Sequence, residues 1–143
     1  MKKSDILQLW YDEVWSKGNL KAIDEILGED VVAQGIIPAL GVTRDDFSNL
    51  VIAIRNLLGP IKVELKQTVE QGDWLAARYV VDTVSDDGGK TVHVSGQVMA
   101  RFSQGQIVDS FYQFDFFSLF QQLGQLPPDS LPVCLTGQRL DWA

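Results

Sequence analysis

The sequence predicts an α+β fold, with helices first and an antiparallel sheet after them. Three observations carry this reading. Apolar residues recur at helical spacing as far as Leu58, the period changes to two after Gly59-Pro60, and glycine-bearing turns divide the second half into long strand-like segments. Helices segregated before a meander of strands define the α+β class.

Taken in order, Leu7, Trp10, Tyr11 and Val14 stand at i, i+3, i+4 and i+7 and make one apolar stripe, with Ser4 as the expected N-cap. Gly18-Asn19 ends that helix, and Leu20 to Leu27 is expected to form a shorter one. A brief apolar segment, Val31-Val32-Ala33, follows. Thr43 and Asp46 have capping-box spacing ahead of a third stripe at Phe47, Leu50, Val51, Ile54 and Leu58. Residues 5–58 are therefore expected to be mainly helical, and residues 61–114 to form a curved antiparallel sheet.

In that sheet Ile61, Val63, Leu65 and Val69 are expected on one face, with Lys62, Glu64, Lys66 and Glu70 on the other. Gly72-Asp73 turns the chain into Trp74 to Val84, Asp86-Asp87-Gly88-Gly89 into Thr91 to Phe102, and Gln104-Gly105 into Ile107 to Phe114. Strands of about ten residues reach over about 30 Å and coil. Helices laid across such a sheet enclose a conical cavity. Trp74 and Ala76 alternate with Leu75 and Ala77, so both faces carry apolar residues, and a homodimer through the outer face is expected.

The chain of 143 residues has the size of one domain, expected to span 1–143 with a core at about 5–125 and a tail at 126–143. A net charge of -7 excludes nucleic acid and anionic membrane surfaces as partners, since both need a basic face. Cys134 is the single cysteine and His93 the single histidine, so neither an intrachain disulfide nor a Cys/His zinc site is expected. No apolar run approaches the roughly 18 residues of a membrane span. Asp5, Gln8 and Asp12 break any signal-peptide core, which makes the cytoplasm the default location. Gly89-Lys90-Thr91 is not a phosphate loop, because Val84 stands where that loop needs glycine and Thr91 opens a strand. No Gly-x-Gly-x-x-Gly occurs, Ser95 lacks a Gly-x-Ser-x-Gly elbow, and Asp86-Asp87 read as turn residues. No cofactor and no metal are expected.

From Gly89 to Gly124 the chain carries Gly89-Lys90, Arg101-Phe102, Gly105, Ile107-Val108-Asp109, Phe111, Asp115 and Gln122-Leu123-Gly124. This pattern resembles the SnoaL-like polyketide cyclase family of the nuclear transport factor 2-like superfamily. Trp15, Gly18-Asn19-Leu20 and Ile23 match its helix-to-helix turn, and Gly72-Asp73 its first hairpin. The family usually has Glu where Asp109 stands, and the tail from Pro127-Pro128, with Leu131, Cys134, Leu135, Leu140 and Trp142, matches no motif but is apolar enough to dock. The resemblance implies a cofactor-independent cyclase or isomerase acting on a hydrophobic, polyketide-like carbonyl compound. A non-catalytic small-molecule-binding module is the alternative, and the fold alone does not choose between them.

The resemblance assigns Asp115 as the general base that removes a proton alpha to a carbonyl. Phe114, Phe116 and Phe117 surround it, and an apolar wall suits a carboxylate to proton transfer. Asp115 also stands where an N-cap would start a helix over Phe116 to Leu123. Arg101 can hold an enolate oxygen or form an outward cross-strand ion pair. His93 can act as acid or base, or simply be hydrogen-bonded. By period two His93, Ser95, Gln97, Met99 and Arg101 share one face, which is either a ligand wall or a solvated surface. Gln97, Met99, Trp15, Phe111 and Gln113 are the expected substrate contacts. Among Trp10, Tyr11, Trp15, Trp74, Tyr79 and Tyr112, most are expected in the core and one or two against a planar ligand.

Overall fold

The computed structural model describes residues 1–141. Helix α1 (Lys3–Leu9) runs directly into a π-helix (Trp10–Ser16), followed by α2 (Lys21–Ile26), strands β1 (Val32–Ile37) and β2 (Leu40–Thr43), and α3 (Arg44–Arg55). Strands β3 (Lys62–Gln71), β4 (Trp74–Val84), β5 (Thr91–Ser103) and β6 (Gln106–Phe114) then form the meander, and α4 (Phe116–Gln122) and α5 (Ser130–Leu135) close the chain.

The first stripe buries Leu7, Trp10 and Val14 completely against the sheet, and the Trp10 ring meets Phe47 of α3 edge-on at 5.2 Å. Ser4 lies inside α1 rather than capping it; Lys2 is the N-cap and supplies no side-chain bond. The helical start continues as π-helix, with Lys17 N–H donating to Asp12 O at 3.1 Å. Arg55, at the end of α3, donates from Nη1 to Trp15 O at 2.7 Å and Ser16 O at 3.0 Å, taking up carbonyls that the helix end leaves open. Thr43 caps α3 as its spacing predicts, accepting from Asp46 N–H at 3.3 Å.

The sheet has the order β2-β1-β6-β5-β4-β3. Residues 62–114 pair antiparallel throughout, in three hairpins. The expectation of a wholly antiparallel sheet behind a helical first half fails at one edge. Residues 32–43 form strands, and β1 pairs parallel to β6 through Ala33 with Ser110 and Gln34 with Phe111. The sheet is therefore mixed. Its α+β class stands.

A second departure has a local cause. Between Leu65, opposite Tyr79, and Gln67, opposite Arg78, β3 carries one extra residue, Lys66. A bulge reverses the faces of all that follows. Val69 is thus turned outward and is 71% exposed, whereas Val63 stays buried. The tail docks only in part: Leu140 is half-buried, and Leu126, Pro127 and Asp141 share a cleft with Lys90 and Gln121. Leu131, Cys134 and Leu135 are exposed and only Ser130 of α5 is buried, while Trp142 lies outside the described residues. No helix among the described residues is long and apolar enough to cross a membrane.

Candidate functional site

The helices and the inner sheet face enclose an apolar pocket of about 80 Å³. Tyr11 and Trp15 reach it from the π-helix, Phe47 and Ile54 from α3, and Phe116 and Leu119 from α4. The sheet contributes Val63, Tyr79, Val81, Val94, Tyr112 and Phe114. These strand residues follow from alternation, since every second position of β4 and β5 is buried. An aromatic run crosses the pocket. Tyr11 and Tyr79 have ring centroids 4.7 Å apart, Tyr79 and Phe114 stack at 6.3 Å, and Phe114 meets Phe116 at 4.8 Å. Gly96 makes the Tyr79 position possible, because a Cβ there would lie 2.4 Å from the Tyr79 hydroxyl.

Polar atoms on the wall are few. Thr83 Oγ1 is spent on Pro60 O at 2.9 Å. The others are phenols. Burial pushes the Tyr11 hydroxyl well above its ordinary pKa, and the neighbouring Tyr79 adds to the rise. Burial also pushes Tyr79 up to about 12, and it raises Tyr112. All three are therefore neutral hydrogen-bonding groups at physiological pH. The Tyr11 and Tyr112 oxygens have almost no accessible surface; Tyr11 lies beside the Tyr79 hydroxyl, and Tyr112 beside Trp10 Nε1 and Ser110 Oγ.

Helix α4 roofs the pocket, and three ties hold it down. At its start Asp115 N–H donates to Ser95 O of β5 at 3.2 Å, and Asp115 Oδ1 accepts from Ser118 N–H at 3.0 Å as the N-cap of α4. Lys90 Nζ donates to Leu123 O at 3.1 Å. The third tie involves β5 beyond the reach of β6. Strand β6 pairs with β5 only as far as Phe114 opposite Gly96, so on that side His93, which faces Asp82 of β4 on the other, has no strand neighbour. The Gln122 side chain takes that place: Nε2 donates to His93 O at 2.9 Å and Oε1 accepts from His93 N–H at 2.8 Å.

Of the residues expected at the site, only Trp15 lines the pocket. Asp115 is exposed, although its neighbours Phe114 and Phe116 both line it. His93, Gln97 and Met99 point away from the pocket on β5, and Phe111 and Gln113 do so on β6. The His93 Nδ1 pairs with Asp82 at 2.5 Å on the outer surface. Arg101 sits opposite Asp109 at 3.6 Å, which is the cross-strand ion pair and not a cavity group. Period two was read correctly, but the helices cover the Val92–Val94–Val98 face. The phenols of Tyr11, Tyr79 and Tyr112 and the Gln122 clasp were missed as a set. Their signals were a tyrosine on the buried period of each of two strands and the glutamine of Gln122-Leu123-Gly124. No group of three or more His, Cys, Asp or Glu that could hold a metal occurs among the described residues.

The profile of the SnoaL-like polyketide cyclase family matches residues 5–123, which takes in every element from the π-helix to α4. The chain belongs to this family. Solved structures agree on the fold. IdmH from Streptomyces antibioticus, a candidate polyketide cyclase, is 20% identical, with 87% of this chain and 99% of that one covered and a TM-score of 0.73. A candidate polyketide cyclase from Bacillus cereus is 19% identical, with 85% and 80% covered and a TM-score of 0.75. A protein with a ketosteroid isomerase-like fold from Catenulispora acidiphila, solved with trimethylamine, is 17% identical, with 90% and 98% covered and a TM-score of 0.74. No curated protein sequence matches the chain. The SnoaL-like chain thus shares the helix-covered curved sheet of these proteins.

Proposed function

We propose that this SnoaL-like domain binds a compact, apolar small molecule in the pocket under α4. One observation carries the reading: the wall is almost wholly hydrocarbon and aromatic, and no charged side chain lines it. Titration with toluene tests it. A saturable rise in melting temperature is expected, with chemical-shift changes confined to methyls such as Val94 and Leu119. Replacing Leu119 by Phe fills the space and is expected to remove both responses. Absence of any saturable shift in the native chain rejects the pocket as a ligand site.

A second reading, general-base cyclisation of a polyketide-like carbonyl compound, is favoured by the position of Asp115 between two pocket-lining rings. Here Asp115 would leave its cap to take a proton, with Gln97 and Gln113 lining the same shallow outer pocket. Asp115→Asn and Asp115→Ala separate base from cap. The asparagine caps about as well, whereas alanine is expected to cost about 1 kcal/mol of stability. Turnover of a model 1,3-dicarbonyl compound that survives in the Asn variant eliminates the base.

A homodimer through the outer sheet face completes the proposal. Val69, Met99 and Phe111 are 71%, 51% and 46% exposed there, and Trp74 stacks on Phe111 at 6.2 Å. The groove they share with Gln67, Gln97 and Gln113 contains one charge, Arg78, which donates to Gln67 Oε1 at 3.0 Å. A nearly charge-free patch suits self-association in a chain of net charge -7. Sedimentation is expected to give a dimer that Met99→Glu dissociates; a native monomer at about 50 μM removes the interface.

A further inference from the structure

We propose that the two copies of this chain meet about a two-fold axis that runs along β5, so that Gln97 faces the partner's Gln97 and Arg78 faces the partner's Gln113. This rests on the outer sheet face being the homodimer interface, and it specifies how the copies are set against one another.

Strand register rules the outer face into rows. Gln67 lies opposite Arg78, Arg78 opposite Gln97 and Gln97 opposite Gln113, which makes a polar belt across four strands. All four side chains are exposed. Two residues away on each strand, Val69, Ala76, Met99 and Phe111 share the same register and form an apolar row beside the belt. A two-fold interface must be complementary to itself. Like charges set face to face are not. A carboxamide both donates and accepts, and so can pair with its own copy. A glutamine belt beside an apolar row therefore fits a second copy of the same chain.

The groove and its one charge fix the axis. The groove reaches from β1 to β3, and β5 is the middle strand of that span. An axis along β5 lays belt on belt and apolar row on apolar row. Arg78 then faces the partner's Gln113, whose amide oxygen accepts, and the small Ala76 faces the partner's Phe111. An axis across the strands fits worse in either position. Through the belt it sets Arg78 against Arg78. Through the apolar row it takes the Arg101–Asp109 ion pair out of water beneath glutamines.

Sedimentation of charge variants tests the axis. Gln97→Glu and Gln97→Lys are each expected to dimerise at least about tenfold more weakly than the native chain, because like charges meet. An equal mixture of the two is expected to recover a dimer containing one copy of each. Ala76→Phe is expected to weaken the dimer by crowding the partner's Phe111, and Ala76→Phe/Phe111→Ala to restore it. This exchange reads the same axis without relying on the folding of the Gln97 variants. A native monomer at about 50 μM overturns the interface and the axis together. A native dimer that both Gln97 variants leave unchanged overturns the axis alone, as do variants that stay apart when mixed. Failure of Phe111→Ala to rescue Ala76→Phe also overturns it, and the outer-face interface then stands with another arrangement.

Discussion

Gly35→Ala is expected to remove on the order of 3–5 kcal/mol of stability, at the upper end of single-residue effects. Gly35 lies in β1 at φ +86°, a region in which an L-residue costs about 1–2 kcal/mol. Its neighbour makes matters worse. An added Cβ would stand 2.1 Å from the carbonyl oxygen of Tyr112 and 3.3 Å from the Tyr112 nitrogen. These are backbone atoms of a paired strand, so no rotamer change relieves the contact. Strand β1 must separate from β6, losing the Ala33–Ser110 and Gln34–Phe111 pairings that attach the β1–β2 hairpin to the sheet. Gly72→Ala is the matched control, at φ +57° with nothing within 4 Å of the added carbon. Urea unfolding is expected to show a much lower midpoint for the first variant and a shift of about 1 kcal/mol for the second. Equal midpoints would contradict the close approach.

Alkaline pH is expected to unfold the protein between about pH 11 and 12, with loss of structure and tyrosine ionisation coinciding. All three tyrosines of the chain, Tyr11, Tyr79 and Tyr112, belong to the pocket. Burial raises each above the unfolded value of about 10, Tyr79 to about 12. Above pH 10 the unfolded chain therefore releases protons that the folded chain retains. The folded state binds more protons, so stability is complete below about pH 10 and falls as pH rises toward the folded values. Each tyrosine contributes up to about 1.4 kcal/mol per pH unit, and three together on the order of 4. An ordinary domain holds about 5–15 kcal/mol, and for one near the lower end of that range one to two pH units suffice. Tyrosinate absorbance and circular dichroism measured together test this without background from exposed tyrosines. Free titration near pH 10 with the dichroism unchanged would show the phenols to be solvated.

Much of this architecture was legible in the sequence because it depends on local pattern. The stripe from Leu7 to Val14, the Thr43–Asp46 cap and the three glycine-bearing turns each specify their element within a few residues. What was not legible depends on distant partners. Parallel pairing of β1 with β6 joins segments about 77 residues apart in sequence, and Val32–Ile37 carries no mark of which strand it will meet. The Lys66 bulge is likewise silent, since alternation through Leu65 and Val69 reads as continuous until a partner sets the register. The candidate site suffered from the same ambiguity. Period two divides β5 into His93–Gln97–Arg101 and Val92–Val94–Val98, and only helix placement decides which face is covered. The resemblance to SnoaL-like proteins pointed to Asp115, whose cap to Ser118 was equally readable from the helix start that follows it.

The Gln122 clasp has a bearing on which substitutions the chain can accept. Because it reads only the backbone N–H and carbonyl of His93, the seating of α4 is blind to the side chain at position 93. That imidazole is left to pair with Asp82 on the opposite surface, and either partner is open to exchange without disturbing the roof. Position 122 has no such latitude. Glutamate has no N–H for the carbonyl, and asparagine is one methylene short. A side chain that impersonates a strand thus concentrates the demand for identity at one site and releases it at another.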